Sequence, residues 1–325
     1  MGKDAGGSAS ESVIMRVKRR HLFASAAATV VAATVRADEG VTKPCPPCAV
    51  PPPEPTQGLL FSCKYTMTKG TSLEERLAAA REAGMHGVDF DEAASVTPEQ
   101  LAGAAARTGV FIHNAINHAH WSQTLTSPDD AVRAQGLANL MHCIRVSHAA
   151  GGSGVLVVVG KAADGPDGPG RARDEIRKAI PLAATLGQRI LFENVWNGLF
   201  YQDDGPRTQS VRPFADYIDS FESPWVAAFF DLGNHARYGD VAAWIRELGP
   251  RIVKLDIKGY SNARADTEGK QKGFVDITAG DIDWAAVRRA LADVGFTGWV
   301  SAEVGGGDVA RLKNVLEQMK TALLG

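Results

Sequence analysis

Cysteine is scarce in this chain, and its placement excludes more than its number does. Cys45 and Cys48 form a C-x-x-C pair inside the run Pro44-Cys45-Pro46-Pro47-Cys48, while Cys63 and Cys143 stand alone. A thioredoxin-type redox motif opens a helix in a βαβ setting, and the flanking prolines forbid that. No second cysteine–histidine cluster exists to complete a structural zinc site. In an oxidising compartment Cys45 and Cys48 can close a small disulfide. Cys63 and Cys143 fall on a strand and a helix and read as buried thiols. Apolar runs are short too. The longest uncharged one, residues 22–35, falls short of the ~20 residues that span a bilayer. A basic body is missing as well. Residues 1–37 hold six basic residues against Asp4 and Glu11, or +4, which leaves −6 for the rest of a chain whose total is −2. An acidic body excludes the broad basic face that a nucleic-acid partner requires. No sequence repeat is present.

What is there begins with a targeting pattern. Arg16-Val17-Lys18-Arg19-Arg20 is followed by the small apolar stretch from Leu22 and then by Val35-Arg36-Ala37, the order of a secretory signal with its cleavage site. Arg19-Arg20 before Leu22-Phe23 resembles the twin-arginine type. Residues 1–37 are thus expected to be a signal peptide and the protein to be exported to the periplasm. It would meet the membrane only in transit; the alternative is a tether formed by an uncleaved signal. Residues 38–57, with Pro44, Pro46, Pro47, Pro51 to Pro53 and Pro55, read as an extended linker.

From residue 58 onward, short apolar runs alternate with amphipathic stretches. Strands are expected at 59–65, 87–90, 110–115, 155–159, 189–193, 225–231, 252–257 and 299–303. Helices are expected between them, with Thr97 as one N-cap and Gly84, Gly109, Gly151, Gly187, Gly249 and Gly295 after helix ends. Eight β-then-α units with nearly continuous apolar strands imply a parallel sheet covered by helices, and eight is the number that closes a (β/α)8 barrel. The rival open sheet carries a Gly-rich turn after its first strand, and Cys63-Lys64-Tyr65-Thr66-Met67-Thr68-Lys69 has none.

Function in such a barrel sits at the carboxyl ends of the strands. Strand five closes on Glu193-Asn194, strand six on Asp231, strand seven on Asp256-Ile257-Lys258 and strand eight on Ala302-Glu303. Four carboxylates on one rim cannot all stay charged without a counter-ion. A divalent cation is the simplest one, and oxygen-only ligands suit hard ions such as Mn²⁺ or Mg²⁺ ahead of Zn²⁺. Lys258 lies on the same side as Asp256 by alternation. Strand three runs into His113-Asn114-Ala115-Ile116-Asn117-His118-Ala119-His120-Trp121, placing histidines and an aromatic at the same rim.

Phe192-Glu193-Asn194-Val195-Trp196-Asn197, Ser223-Pro224-Trp225, Phe230-Asp231-Leu232-Gly233-Asn234 and Ser301-Ala302-Glu303-Val304-Gly305-Gly306-Gly307-Asp308 resemble the xylose-isomerase-like barrel superfamily, over roughly residue 59 to the C-terminus. The closer branch is the sugar and sugar-phosphate 3-epimerases. The resemblance implies a divalent metal at Glu193, Asp231 and Glu303. The family's strand-seven motif is His-x-Lys-Asp, and here Asp256 stands at the histidine position and Gly259 at the aspartate. An aspartate there tilts preference towards harder ions. The implied chemistry is proton transfer beside the carbonyl of a small sugar or keto-sugar through an enediolate. Glu193 and Glu303 would be the acid–base pair, epimerising or isomerising the ketose. Lys258, Asn234, His118, Trp121, Trp196, His113 and Lys64 are the expected substrate contacts; the alternatives are that Lys258 pairs with a metal-ligand carboxylate and that His113 is a satisfied histidine inside the barrel. Asp256 motivates an alternative, a metal-binding barrel with lyase- or hydrolase-like chemistry on keto-sugars or a sugar binder without turnover. An abasic-site endonuclease on the same fold is opposed by Asn234 and Lys258, which stand where it needs metal ligands. Gly305-Gly306-Gly307 is the kind of turn that holds phosphate, yet export favours a free or oxidised sugar over a phosphosugar. Apolar helix faces in this fold often pair subunits, which allows a homo-oligomer.

Overall fold

In the computed structural model, which describes residues 58–202 and 205–325, eight parallel strands close a barrel. They are β1 (Leu59–Lys64), β2 (Gly87–Phe90), β3 (Phe111–Ile116), β4 (Gly154–Val157), β5 (Arg189–Glu193), β6 (Val226–Asp231), β7 (Ile252–Ile257) and β8 (Gly298–Ala302). Each strand pairs with its neighbours in sequence, and β1 closes on β8 from Leu59↔Gly298 to Cys63↔Ala302. All eight coincide with the expected runs to within two residues at either end. Strand alternation divides the side chains into two populations. Phe61, Val88, Phe90, Ile190, Phe192, Phe230, Leu255 and Val300 pack outward in the core beneath the helices. Ile116, Leu156, Leu191, Ala227 and Phe229 fill a separate apolar layer inside the barrel. Each such large side chain contributes about 1.5–3 kcal/mol over leaving it exposed.

The helices form where the caps say they should. Thr97 closes a capping box with Gln100 at the start of Pro98–Thr108, and Gly109 ends that helix in the left-handed region, at φ 65°. Ser72, Asp129, Asp240, Asp283 and Asp308 each accept a backbone N–H at the head of another helix. Cys63 and Cys143 are buried free thiols. Among the described residues no helix is long and apolar enough to cross a membrane. The signal segment, the linker and the Cys45/Cys48 pair lie outside the described residues.

Two features were not expected from sequence. A five-residue helix, Leu232–Ala236, follows β6 directly. After β7 the chain makes a short antiparallel ribbon of Gly259–Tyr260 with Phe274–Val275, enclosing the helix Asn262–Glu268. Both sit at the carboxyl-terminal rim and both reach the site.

Candidate active site

The four strand-end carboxylates converge. One oxygen each from Glu193, Asp231, Asp256 and Glu303 can be chosen so that all lie within 4.8 Å of one another. Register explains the meeting. Asp231 sits directly opposite Asp256, after a register shift between Ala228 and Phe229 that re-aims the end of β6. Glu303, one residue past β8, is tied to β7 by its N–H donating to Ile257 O at 3.0 Å.

Two lysines are set into this ring. Lys64 Nζ lies 2.7 Å from Asp89 Oδ2 and 2.6 Å from Asp256 Oδ2, fully inside the barrel. Lys258 Nζ lies 2.8 Å from Asp231 Oδ2 and also donates to Glu303 Oε2. Two cations thus face five carboxylates. Burial and the neighbouring carboxylates Glu303 and Asp231 push Glu193 up to about 8. Burial raises Asp256 well above the carboxylate range, although Lys64 opposes it. Burial also raises Asp231, to about 6, against the pull of Lys258. Glu303 goes the other way: burial works against it, but Lys258 and Lys64 hold it down to about 2.

The ring fits a divalent cation. Asp256 Oδ1 is buried with no hydrogen-bond partner, while its Oδ2 is taken by Lys64. A buried unpaired carboxylate oxygen is costly unless something binds it. The donor set is all oxygen, which suits a hard ion. Asp231 Oδ1 is occupied, accepting the Asn234 N–H at 2.8 Å as the N-cap of Leu232–Ala236, so its other oxygen is the one facing Lys258 and the ring. Lys258 pairs with ring carboxylates, one of the roles expected of it from sequence, and Lys64 adds a second positive charge that was not expected there.

Above the ring lies a cavity of about 330 Å³, at the small end of the ~300–1,000 Å³ of ligand pockets. Glu193 and Glu303 line it, with Lys64, Lys258, Asn234, Trp196, His118 and Trp121. Asp231 and Asp256 stand behind the glutamates. Asn234 donates to Glu193 Oε1 at 3.2 Å and to Asn194 O at 3.1 Å. Trp196 Nε1 donates to Asn234 O at 2.7 Å, and its ring stacks on Phe274 at 5.0 Å. For His113 the substrate contact gives way to the alternative of a barrel-interior histidine. It is buried lower in the barrel, 2.8 Å from Ser62 Oγ and stacked on Trp299 at 4.3 Å, because it precedes the end of β3 by three residues.

Several residues escaped the sequence reading. Gln271 and Phe274 enter from the ribbon after β7, where no periodic signal exists. Asp91 lines the cavity one residue past β2, held by Thr66 N at 2.9 Å and by Thr66 Oγ1, with His118 Nε2 3.9 Å away. A carboxylate directly after an apolar strand was the signal used for strands five to eight, and it applied equally here. Asp89 and Asn114, bonded to each other at 2.9 Å, and Lys254 complete a polar network below Lys64.

A closed eight-stranded parallel barrel with helices around it and an acidic cage at its carboxyl rim defines a class, and residues 77–322 match the Xylose isomerase-like TIM barrel family; the chain belongs to that family. Among curated relatives, L-ribulose-5-phosphate 3-epimerase UlaE of Salmonella paratyphi A is 26% identical over 204 residues. That match covers 61% of this chain and 66% of the relative, so the chain spans just under two thirds of that protein's length. Among solved structures, an L-ribulose 3-epimerase superposes with a TM-score of 0.64 at 19% identity, covering 81% of this chain and 94% of that one. The 3-keto-D-glucoside 4-epimerase YcjR from E. coli gives 0.65 at 17% identity, covering 81% and 99%. At these identities the structures establish the fold.

Proposed function

We propose that the protein is a metal-dependent ketose epimerase or isomerase that moves a proton at a carbon beside the substrate carbonyl. The observation that carries this reading is the division of labour in the ring: Glu193 and Glu303 face the cavity while Asp231 and Asp256 stand behind them. Two carboxylates from non-adjacent strands therefore flank whatever occupies the cavity, one placed to remove a proton and the other to return one. Glu193, Asp231, Asp256 and Glu303 would hold a divalent cation, Mn²⁺ or Mg²⁺ in preference to Zn²⁺, and when bound it would polarise the carbonyl and offset developing negative charge. Lys258 grips Glu303 and Asp231 and so fixes the rotamer of one proton carrier. Asn234 does the same for Glu193 from the helix that Asp231 caps. Trp196, Phe274 and Trp121 wall the cavity with rings suited to a sugar's apolar face. The relatives' names, among them a ribulose-5-phosphate and a ribulose 3-epimerase, point to the same substrate class.

The test is exchange in D2O with a panel of ketoses and metal-loaded protein. Deuterium entering a carbon next to the carbonyl supports the reading, and no exchange with any ketose defeats it. Glu303→Gln should lower exchange by at least about a hundredfold, the scale of losing a general acid–base group; an unchanged rate removes Glu303 from the role. A second reading, sugar binding without turnover, is favoured by Lys64 and Lys258, which already neutralise part of the ring. Ketose binding without exchange would select it. The same reading has the protein acting outside the cytoplasm, supported by the Arg19-Arg20 segment.

A further inference from the structure

The substrate's charge is written into the walls of the cavity. The lysines that line it, Lys64 and Lys258, each hold two carboxylates and have no charge to spare. The turn that resembles a phosphate cradle is filled. Gly307 donates its N–H to Met67 O at 2.9 Å, and a Cβ on Gly306 would meet that same oxygen at 2.1 Å, so the loop is glycine in order to pack on β1's following turn. The head of the helix Val309–Leu323 is closed by a carboxylate of its own, Asp308, which accepts the Arg311 N–H at 2.9 Å. The Arg311 guanidinium is spent on Asp276, at 2.5 and 2.9 Å, and on Gly305 O. A phosphate arriving there would meet an anion and find the arginine committed.

The opposite side of the cavity carries polar groups of a different kind. β2 and β3 face β6 and β7 across an eight-stranded barrel, so Asp91 and His118 lie across from Asp231 and Asp256. Thr66 fixes Asp91 from two directions, and Asp91 in turn sits beside the His118 imidazole on the cavity wall. A carboxylate that accepts and an imidazole that donates or accepts form a complementary site for hydroxyl groups. Beside a neutral imidazole the same carboxylate repels a second anion, which requires a pH well above the usual histidine range because Asp91 raises the proton affinity of His118. Near the mouth, Lys270 lies over the Trp196 ring at 5.8 Å, outside the residues that line the cavity.

From these observations we infer that the cavity is built for an uncharged ketose, with the Asp91–His118 pair receiving hydroxyls on the side across from Asp231 and Asp256, and that it discriminates against the phosphate ester of the same sugar. This rests on the proton-transfer reading above. The experiment uses the full chain loaded with Mn²⁺, at a pH well above the usual histidine range, and pairs free 2-ketopentoses and 2-ketohexoses with their terminal phosphate esters. Exchange in D2O gives kcat/KM for each member, and quenching of tryptophan fluorescence gives Kd. The free sugar should exceed its ester in kcat/KM by about a hundredfold, the scale of a like-charge clash in a partly desolvated site. Asp91→Asn, which can still accept the Thr66 N–H while its amide nitrogen donates to the rotated Thr66 hydroxyl, should narrow that ratio about tenfold by removing the repelling charge. A purely structural role for Asp91 would slow both sugars and leave the ratio unchanged, which overturns its assignment. An ester used as well as the free ketose overturns the inference and leaves the proton-transfer reading standing. If neither member exchanges, that reading fails, and the Kd values still judge the cavity: tighter binding of the ester overturns the inference, tighter binding of the free sugar upholds it.

Discussion

Lys64 shows how a single residue can alter the chemistry of its neighbours. Its ammonium is buried between Asp89 and Asp256, both themselves fully buried. Breaking a buried pair by removing one partner costs about 3–5 kcal/mol. Lys64→Met should therefore shift the urea midpoint of the metal-free protein down by that equivalent with an unchanged slope, read from an equilibrium unfolding curve. A loss under about 1 kcal/mol would show that the aspartates are solvated or protonated instead. The ring's protons lead to a second prediction. In the metal-free protein Glu193 is raised from 4.5 to about 8, so between those values this group binds more proton in the folded chain than in the unfolded one. Its contribution to the stability of the metal-free protein should then fall as pH rises through that window, isolated as the difference between the wild type and Glu193→Gln, while the buried imidazoles His113, His120 and His235, held down by burial, act the other way below 6.5. A divalent cation needs the carboxylates ionised, so its binding should release protons at pH 7 and tighten as pH rises to 8. Calorimetry in two buffers of different ionisation enthalpy measures the release; identical heats after buffer correction would refute it. Glu193, Asp231, Asp256 and Glu303 were legible in sequence because each ends an apolar run. Lys64 was legible only as a wall residue, since its pairing with Asp89 and Asp256 joins positions 25 and 192 residues apart.

At the scale of elements, the strands were the most readable part, because a buried parallel strand is an apolar run and little else. The helix Leu232–Ala236 and the ribbon after β7 were not, being too short to carry a period. Yet they set the geometry of Asn234 and the position of Phe274. Asp231 joins the two levels, serving as the last residue of β6, the N-cap of that helix and a member of the acidic ring. The two roles separate by substitution. Asn caps about as well as Asp, whereas Ala costs about 1 kcal/mol at an N-cap. Asp231→Asn should keep the cap but give up the charge that pairs with Lys258, so its metal-free midpoint should fall less than that of Asp231→Ala, and it should lose metal affinity. Asp231→Ala should lose both, and Asn234, released from the cap, should no longer hold Glu193. Thermal unfolding with and without Mn²⁺ reads the two effects on one sample. If Asp231→Asn keeps the full Mn²⁺-dependent rise in midpoint, Asp231 is a cap only.

For the whole molecule, the charge distribution separates a basic N-terminal segment from an acidic remainder, +4 over residues 1–37 against −6 over the rest. If its oxygen-lined cage holds a metal as proposed, such a barrel would select the ion partly by where it folds, because affinity alone favours copper and zinc over manganese and magnesium. Under the proposal that Arg19-Arg20 belong to a twin-arginine signal, the barrel would fold and its cage would close on an ion before export. Arg19→Lys with Arg20→Lys keeps the leader's charge and apolar run while removing the paired guanidinium groups that define this route. The variant should accumulate as folded, uncleaved precursor in the cytoplasm, found by fractionation and immunoblotting with an antibody to the barrel. Normal export of the doubly substituted chain would assign it to a route that threads unfolded protein. The ring of Glu193, Asp231, Asp256 and Glu303 would then acquire its ion outside the cell, where metal supply rather than folding compartment decides which ion it holds.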